Sequence, residues 1–219
     1  MGQEIDLLIN YPRSQRNVDE RGQSKTEADR KIAREFGEAF FDGDRSHGYG
    51  GFSYQPRFWH PVVPTFQEFY SVNPASSLLD VGCAKGFMLH DFAELIPGIT
   101  VAGLDVSSYA IEHCLEAVKP FVQVADAQEL PFADNSFDLV VSINTVHNLE
   151  QARCERALLE IERVSRGKSF ITVDAYRDDQ ERQRMMAWNL TAKTILHVDE
   201  WKALFNRIGY TGDYYWFIP

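Results

Sequence analysis

Residues 77 to 87 read SLLDVGCAKGF. An apolar run ends in a carboxylate, Asp80, and then passes through Gly82, Cys83, Ala84, Lys85 and Gly86. Parallel strands of an open α/β sheet offer ligands their carboxyl ends. Glycine at such an end lets the backbone approach a ligand closely. A helix beginning at about Gly86 directs its free N–H groups into the same crevice. The chemistry that suits these residues is capture of the charged end of a cofactor. A dinucleotide requires G-x-G-x-x-G. Counted from Gly82, that pattern needs glycine at 84 and glycine or alanine at 87. Ala84 and Phe87 stand there instead, so the dinucleotide fingerprint fails.

Between residues 75 and 175 strand-like and helix-like segments alternate. SLLDV, TVAGLDV, FVQVAD, SFDLVVSIN and KSFITVDAY read as five strands. FMLHDFAELI places Met88, Leu89, Phe92 and Leu95 on one helical face. YAIEHCLEAVK does the same with Ile111, Cys114, Leu115 and Val118, and Ser107 or Ser108 can cap its start. RCERALLEIERVS carries Cys154, Leu158, Ile161 and Val164 at helical spacing. This alternation predicts an α/β fold with a parallel sheet covered by helices on both faces. The segment before it differs. SKTEADRKIAREFGEAFF predicts a helix with a capping box from Ser24 to Glu27 and apolar Ile32, Phe36 and Phe40. After strand five come a polar helix near DQERQRMMAWNLTAK, a second helix VDEWKALFNRI and a last strand YTGDYYWFI.

The DVGCAKG stretch resembles the first motif of the class I S-adenosylmethionine-dependent methyltransferases, and three later features follow in the family's order. GLDVS ends the second strand at Asp105. VADAQELPFADNSFDLVVS is similar to the family stretch after the third strand. SINTVHNL matches the loop after the fourth. The resemblance covers about residues 75 to 175. It implies a Rossmann-like three-layer sandwich with a mostly parallel sheet, and a methyl transfer that uses S-adenosyl-L-methionine and leaves S-adenosyl-L-homocysteine. It also implies cofactor contacts at Asp80, Gly82, Cys83, Ala84 and Gly86. Asp105 would hold the ribose, and Val106 beside it would also contact the cofactor. Asp126 and Ala127 would meet the adenine, and Asn144 would lie near the transferred methyl. The family's sheet ends in a hairpin, whereas this chain shows only one clear strand after the fifth. Either a strand is hidden between 175 and 200 or the sheet is shortened. We expect a shortened sheet, order 3-2-1-4-5-6, with a seventh strand as the alternative. Residues 1–70 form a helical, lid-like extension and 71–219 the methyltransferase core.

The acceptor side is less determined. His147 is either a general base for a hydroxyl acceptor or a structural hydrogen bonder. Asp174 and Tyr176, at the end of strand five, either line the acceptor pocket or serve the following helix. In the segment 42 to 60, Tyr49, Tyr54, Arg57 and Trp59 offer aromatic walls and a cation for a lid, or pack the extension on the sheet. Lys85 reads as a surface residue, with approach to the methionine carboxylate as the alternative, and Cys83 reads as packing. No local spacing suggests metal ligands, so no metal is expected.

The chain has 219 residues and a net charge of −10, from 22 basic and 32 acidic residues. That balance argues against a nucleic-acid partner, which calls for a basic face. Arg13, Arg16 and Arg21 read as solvated surface, with an anionic substrate as the alternative. The three cysteines have no paired spacing and suit a reducing, cytoplasmic setting. No apolar run approaches the length that spans a bilayer. The expected activity is methyl transfer to an O or N atom of a small molecule. Methylation of RNA or protein, or S-adenosylmethionine binding without turnover, are the competing readings.

Overall fold

The computed structural model describes residues 2–12, 25–50 and 53–219. Ser24, Arg13, Arg16 and Arg21 lie outside the described residues. The extension carries α1 (Glu27–Ala33), α2 (Glu38–Phe41), α3 (Pro56–Trp59) and α4 (Val63–Tyr70). The core then runs β1 (Ser77–Val81), α5 (Phe87–Leu95), β2 (Thr100–Asp105), α6 (Ser108–Glu112), β3 (Val122–Val124) and β4 (Leu139–Ile143). It continues through α7 (Gln151–Val164), β5 (Ser169–Tyr176), α8 (Asp179–Trp188), β6 (Leu196–His197), α9 (Val198–Ile208) and β7 (Asp213–Phe217).

The sheet runs β3-β2-β1-β4-β5 as expected and every strand pairing in it is parallel, but it has seven strands instead of the expected shortened six. Its last position is shared. The outer edge of β5 pairs with β7 from Phe170 to Asp174 and with the two-residue β6 at Ala175 and Tyr176. A strand is therefore hidden between 175 and 200, and it is short for a local reason. His197 is already the N-cap of α9, its ring accepting from the Asp199 amide while Glu200 reaches back to the His197 amide. The free edge of β7 is covered in turn. Tyr214 exchanges backbone hydrogen bonds with Gln3 and Ile5, which shields an otherwise open ladder.

Four helical expectations change. Residues 25–41 are not one helix: Phe36 adopts a left-handed conformation (φ 49°), which ends helical pairing and separates α1 from α2. The capping box is Thr26 with Asp29, three residues on, because these two satisfy each other's backbone amides. The helix after β2 stops at Glu112; Leu115 donates its amide to the Lys85 carbonyl instead of continuing the helix. On α5, Leu95 is exposed, and the buried place is taken by Ile96 just past the helix end and by Asp91.

Alternation along the strands divides the core. Leu79 and Val81, with Ile171, Val173 and Ala175, face α7 and α9. Leu78, Leu139, Val141 and Phe170 face α4 and α5. Because the strand period is two, Asp80, Ile143, Thr172 and Asp174 must share the α5 side. Two carboxylates are thereby directed to one face near the carboxyl ends of β1 and β5.

Candidate active site at the carboxyl edge of the sheet

After β1 the chain turns through three left-handed residues, Gly82 (φ 87°), Ala84 (φ 49°) and Gly86 (φ 75°). The Gly82 and Cys83 amides both donate to the Leu104 carbonyl, at 2.8 and 2.9 Å. A Cβ at Gly82 would lie 2.2 Å from the Thr145 side chain, so only glycine lets the turn pass the loop after β4. Gly86 caps α5 without a side-chain hydrogen bond, which leaves the first-turn amides of that helix open to a ligand.

Asp105 stitches the turn to the end of β2. Its Oδ2 accepts from the Ala84 amide and its Oδ1 from the Ser107 amide, each at 2.9 Å. Burial raises its pKa and these amides oppose the rise. Asp80 is buried, and among the described residues no cation or hydrogen bond satisfies its side chain. Burial, then the nearby Asp105 charge, pushes it up to about 8. Cys83 is buried packing below the turn, and burial holds its thiol well above the usual range. Lys85 departs from the expectation of a surface residue. It is buried, and its Nζ holds the Asp42 carboxylate at 2.6 Å. Tyr109 donates to the same carboxylate at 2.8 Å, so Asp42 ties the extension to the turn.

A cavity of about 460 Å³ opens from this turn toward β5. Asp80, Gly82, Cys83, Ala84 and Asn144 line it, as do Tyr49, Trp59, His147 and Asp174. Gly86, Asp105, Val106, Asp126 and Ala127 are not in its wall; they lie along the neighbouring ends of β2 and β3 and the start of α5. There Val106 is 61% exposed, an apolar side chain open beside Asp105. Asp126 is exposed and accepts from the Gln128 side chain at 2.8 Å. Asn144, in a left-handed conformation, is fixed by Thr172, whose hydroxyl donates to its side-chain oxygen at 2.9 Å.

His147 and Asp174 are both buried and face each other. The Asp174 amide donates to His147 Nδ1 at 3.1 Å. A neutral imidazole has one acceptor nitrogen and one donor. The ring proton therefore sits on Nε2, which is 3.5 Å from Asp174 Oδ1. Burial pushes the His147 pKa down to about 3 and the Asp174 pKa up to about 7. The imidazole stays neutral, and its lone pair is already occupied by the Asp174 amide.

Tyr54, Arg57 and Tyr176 are outside the cavity wall. Tyr54 bonds Asp91, Arg57 lies over the Phe58 ring, and Tyr176 packs against Arg182 and His197. The walls instead include Phe40, Phe41, Trp188 and Phe217, which sequence reasoning missed. Trp188 carries a signal: a large aromatic closing the apolar end, MMAW, of a helix whose first six residues are polar. It stacks on Tyr49, whose hydroxyl accepts from the Leu190 amide at 2.8 Å.

Residues 79–173 match the family described as a methyltransferase domain. The tRNA (carboxymethyluridine(34)-5-O)-methyltransferase of Arabidopsis thaliana is 31% identical over 144 residues, covering 64% of this chain and 33% of that protein. A provisionally named methyltransferase of Encephalitozoon cuniculi is 30% identical over 152 residues, covering 63% of this chain and 68% of that one. The chain spans 33%, 44% and 48% of three curated relatives that it matches. Among solved structures, the YcgJ protein of Bacillus subtilis superposes with a TM-score of 0.55 at 18% identity, over 67% of this chain and 66% of that one. A SAM-dependent methyltransferase from Aquifex aeolicus gives 0.50 at 17% identity, over 67% and 78%. These two likenesses establish the fold, and the sequence matches establish the kinship: the chain belongs to the class I S-adenosylmethionine-dependent methyltransferases.

Proposed function

We propose that the chain methylates a hydroxyl oxygen of a small, largely apolar acceptor, with Asp174 as general base. The observation that carries this reading is the Asp174–His147 pair, buried in the wall of the same cavity as the Asp80–Gly86 turn. β1 and β5 are separated by β4 alone, so the two sites lie roughly 10 Å apart at the usual strand spacing.

The cofactor supplies an electrophilic methyl group on a sulfonium, next to an ammonium and a carboxylate. The residues present fit it. Asp80 is a buried carboxylate in need of a cation, and the open amides at the start of α5 suit a carboxylate. Asp105 retains lone pairs for ribose hydroxyls, and Val106 gives the adenine an apolar face. At the other end, Asp174 takes the acceptor's hydroxyl proton as the oxygen becomes nucleophilic. A base with a pKa of about 7 is half ionised at neutral pH, which is the range in which general bases work best. The His147 ring, 3.5 Å away and bonded to the Asp174 amide, packs beside that carboxylate. An N-acceptor would need positioning only, and would leave this arrangement without a task.

The cavity size and the aromatic side chains that the extension lays across it favour a small acceptor. The tRNA substrate in the name of the Arabidopsis relative makes RNA the second reading, and the net charge of −10 weighs against it. A turnover assay tests both. Labelled S-adenosylmethionine is offered with a panel of small phenols, enols and carboxylic acids, with amines of matched shape, and with unfractionated tRNA. Product from the hydroxyl compounds is expected. Product from the amines or tRNA alone overturns the reading.

A further inference from the structure

Outside the methyl-transfer cavity, His60, Asp91 and Glu94 bring one ligand atom each to within 4.8 Å of the others. They come from the end of α3 and from one side of α5. The His60 Nε2 atom lies 3.0 Å from Glu94 Oε2 and 3.5 Å from Asp91 Oδ1. His90, one turn before Glu94, lies 3.6 Å from that carboxylate. Ligands bound at about 2.0–2.2 Å in a tetrahedron stand roughly 3.3–3.6 Å apart. The His60–Asp91 and His90–Glu94 separations match that spacing, and the His60–Glu94 separation is within about 0.3 Å of it.

Charge points the same way. Asp91 is fully buried, and its Oδ2 has no hydrogen-bond partner. Among the described residues, no lysine or arginine pairs with Asp91 or Glu94; histidines alone do so. Two carboxylates, one of them buried, are thus left with at most partial compensation, an arrangement that is costly without a cation. The outer shell is also present. The Tyr54 hydroxyl donates to Asp91 Oδ1 at 2.5 Å and the Tyr54 ring packs edge-on against His90 and Phe87. Hydrogen bonds of this kind orient metal-binding carboxylates.

We infer that His60, Asp91 and Glu94, completed by a side-chain rotation of His90, bind one Zn2+ ion that staples the extension to α5. Two imidazoles and two carboxylates with no thiolate suit zinc, a borderline cation that takes nitrogen and oxygen in tetrahedral geometry. The consequence is positional. Trp59, in the cavity wall, is next to His60, and α5 begins at the cofactor turn. The ion would fix one wall of the acceptor cavity relative to the turn. Local spacing does not reveal the site, because His60 is 31 residues from Asp91 and only the packing of α3 on α5 unites them.

The test uses the tag-free full chain, stripped with a chelator and titrated with ZnCl2 by calorimetry, with metal content and thermal midpoint read in parallel. One equivalent of zinc and a raised midpoint are expected. His60→Ala and Glu94→Gln, both at partly exposed positions, should each weaken zinc binding at least ten-fold and abolish the rise in midpoint. Circular dichroism confirms that the variants are folded. The inference is overturned if the native chain takes up no zinc, or if uptake is the same in both folded variants. Neither outcome bears on methyl transfer, which is read separately.

Discussion

At the ends of β1 and β2 the crevice is built from backbone: a turn with three left-handed residues, two amides on the Leu104 carbonyl, and one carboxylate spanning the Ala84 and Ser107 amides. At the ends of β4 and β5 it is built from side chains: a buried acid, the imidazole beside it, and aromatic rings contributed by the extension, α8 and β7. A backbone-built half is hard to vary, since each residue is held by conformation and close approach. That suits a ligand that never changes. A side-chain half can be altered ring by ring without disturbing the sheet, which suits an acceptor that differs between relatives. The contrast predicts that substitutions in the two halves separate cofactor affinity from transfer.

The sharpest break comes from Asp174→Asn. It keeps the shape and removes the base. Single-turnover transfer should fall by roughly 10²–10⁴-fold, the usual contribution of a general base. Affinity for S-adenosylhomocysteine should stay within about two-fold, and a parallel loss of affinity would merge the two halves. Asp105→Ala should do the opposite. Loss of hydrogen bonds to a charged group costs about 1.5–3 kcal/mol, or roughly 10–150-fold in cofactor Kd by calorimetry. Transfer at saturating cofactor should change far less.

The pH profile sharpens the same contrast. Asp174 must be ionised to accept a proton, and burial raises its pKa to about 7. The transfer rate should therefore rise with pH, with unit slope below about 7 and a plateau above it. The residual activity of Asp174→Asn should lack that rise. A profile governed by His147 would need its lone pair freed from the Asp174 amide and should disappear in His147→Gln. Asp126→Ala is the mildest change. Its carboxylate is exposed and shared with Gln128, so cofactor Kd should weaken only about 2–10-fold.

Legibility in the sequence follows the same division. DVGCAKG, GLDVS and the apolar strands are readable because local conformation dictates residue type: glycine at a left-handed turn, an acid at a strand end, an unbroken apolar run through a buried parallel strand. Their order along the chain places β1 to β5 in the sheet. Lys85 was not readable, because its partner Asp42 is 43 residues earlier and nothing local marks an ion pair with the extension. Phe40, Trp188 and Phe217 meet across the cavity from three separate elements, and no periodicity joins them. His147 stood out as a histidine in the right loop. Its role depends on which nitrogen the Asp174 amide occupies, and that is a matter of tertiary geometry. The two-residue β6 is too short to leave a pattern.

The most direct measurement is a calorimetric titration of S-adenosylhomocysteine into the native chain, Asp105→Ala and Asp174→Asn under one set of conditions. The account predicts a single site in the native chain, affinity lowered at least ten-fold in Asp105→Ala, and affinity essentially unchanged in Asp174→Asn. No binding to the folded native chain, or equal affinity in Asp105→Ala, would contradict it.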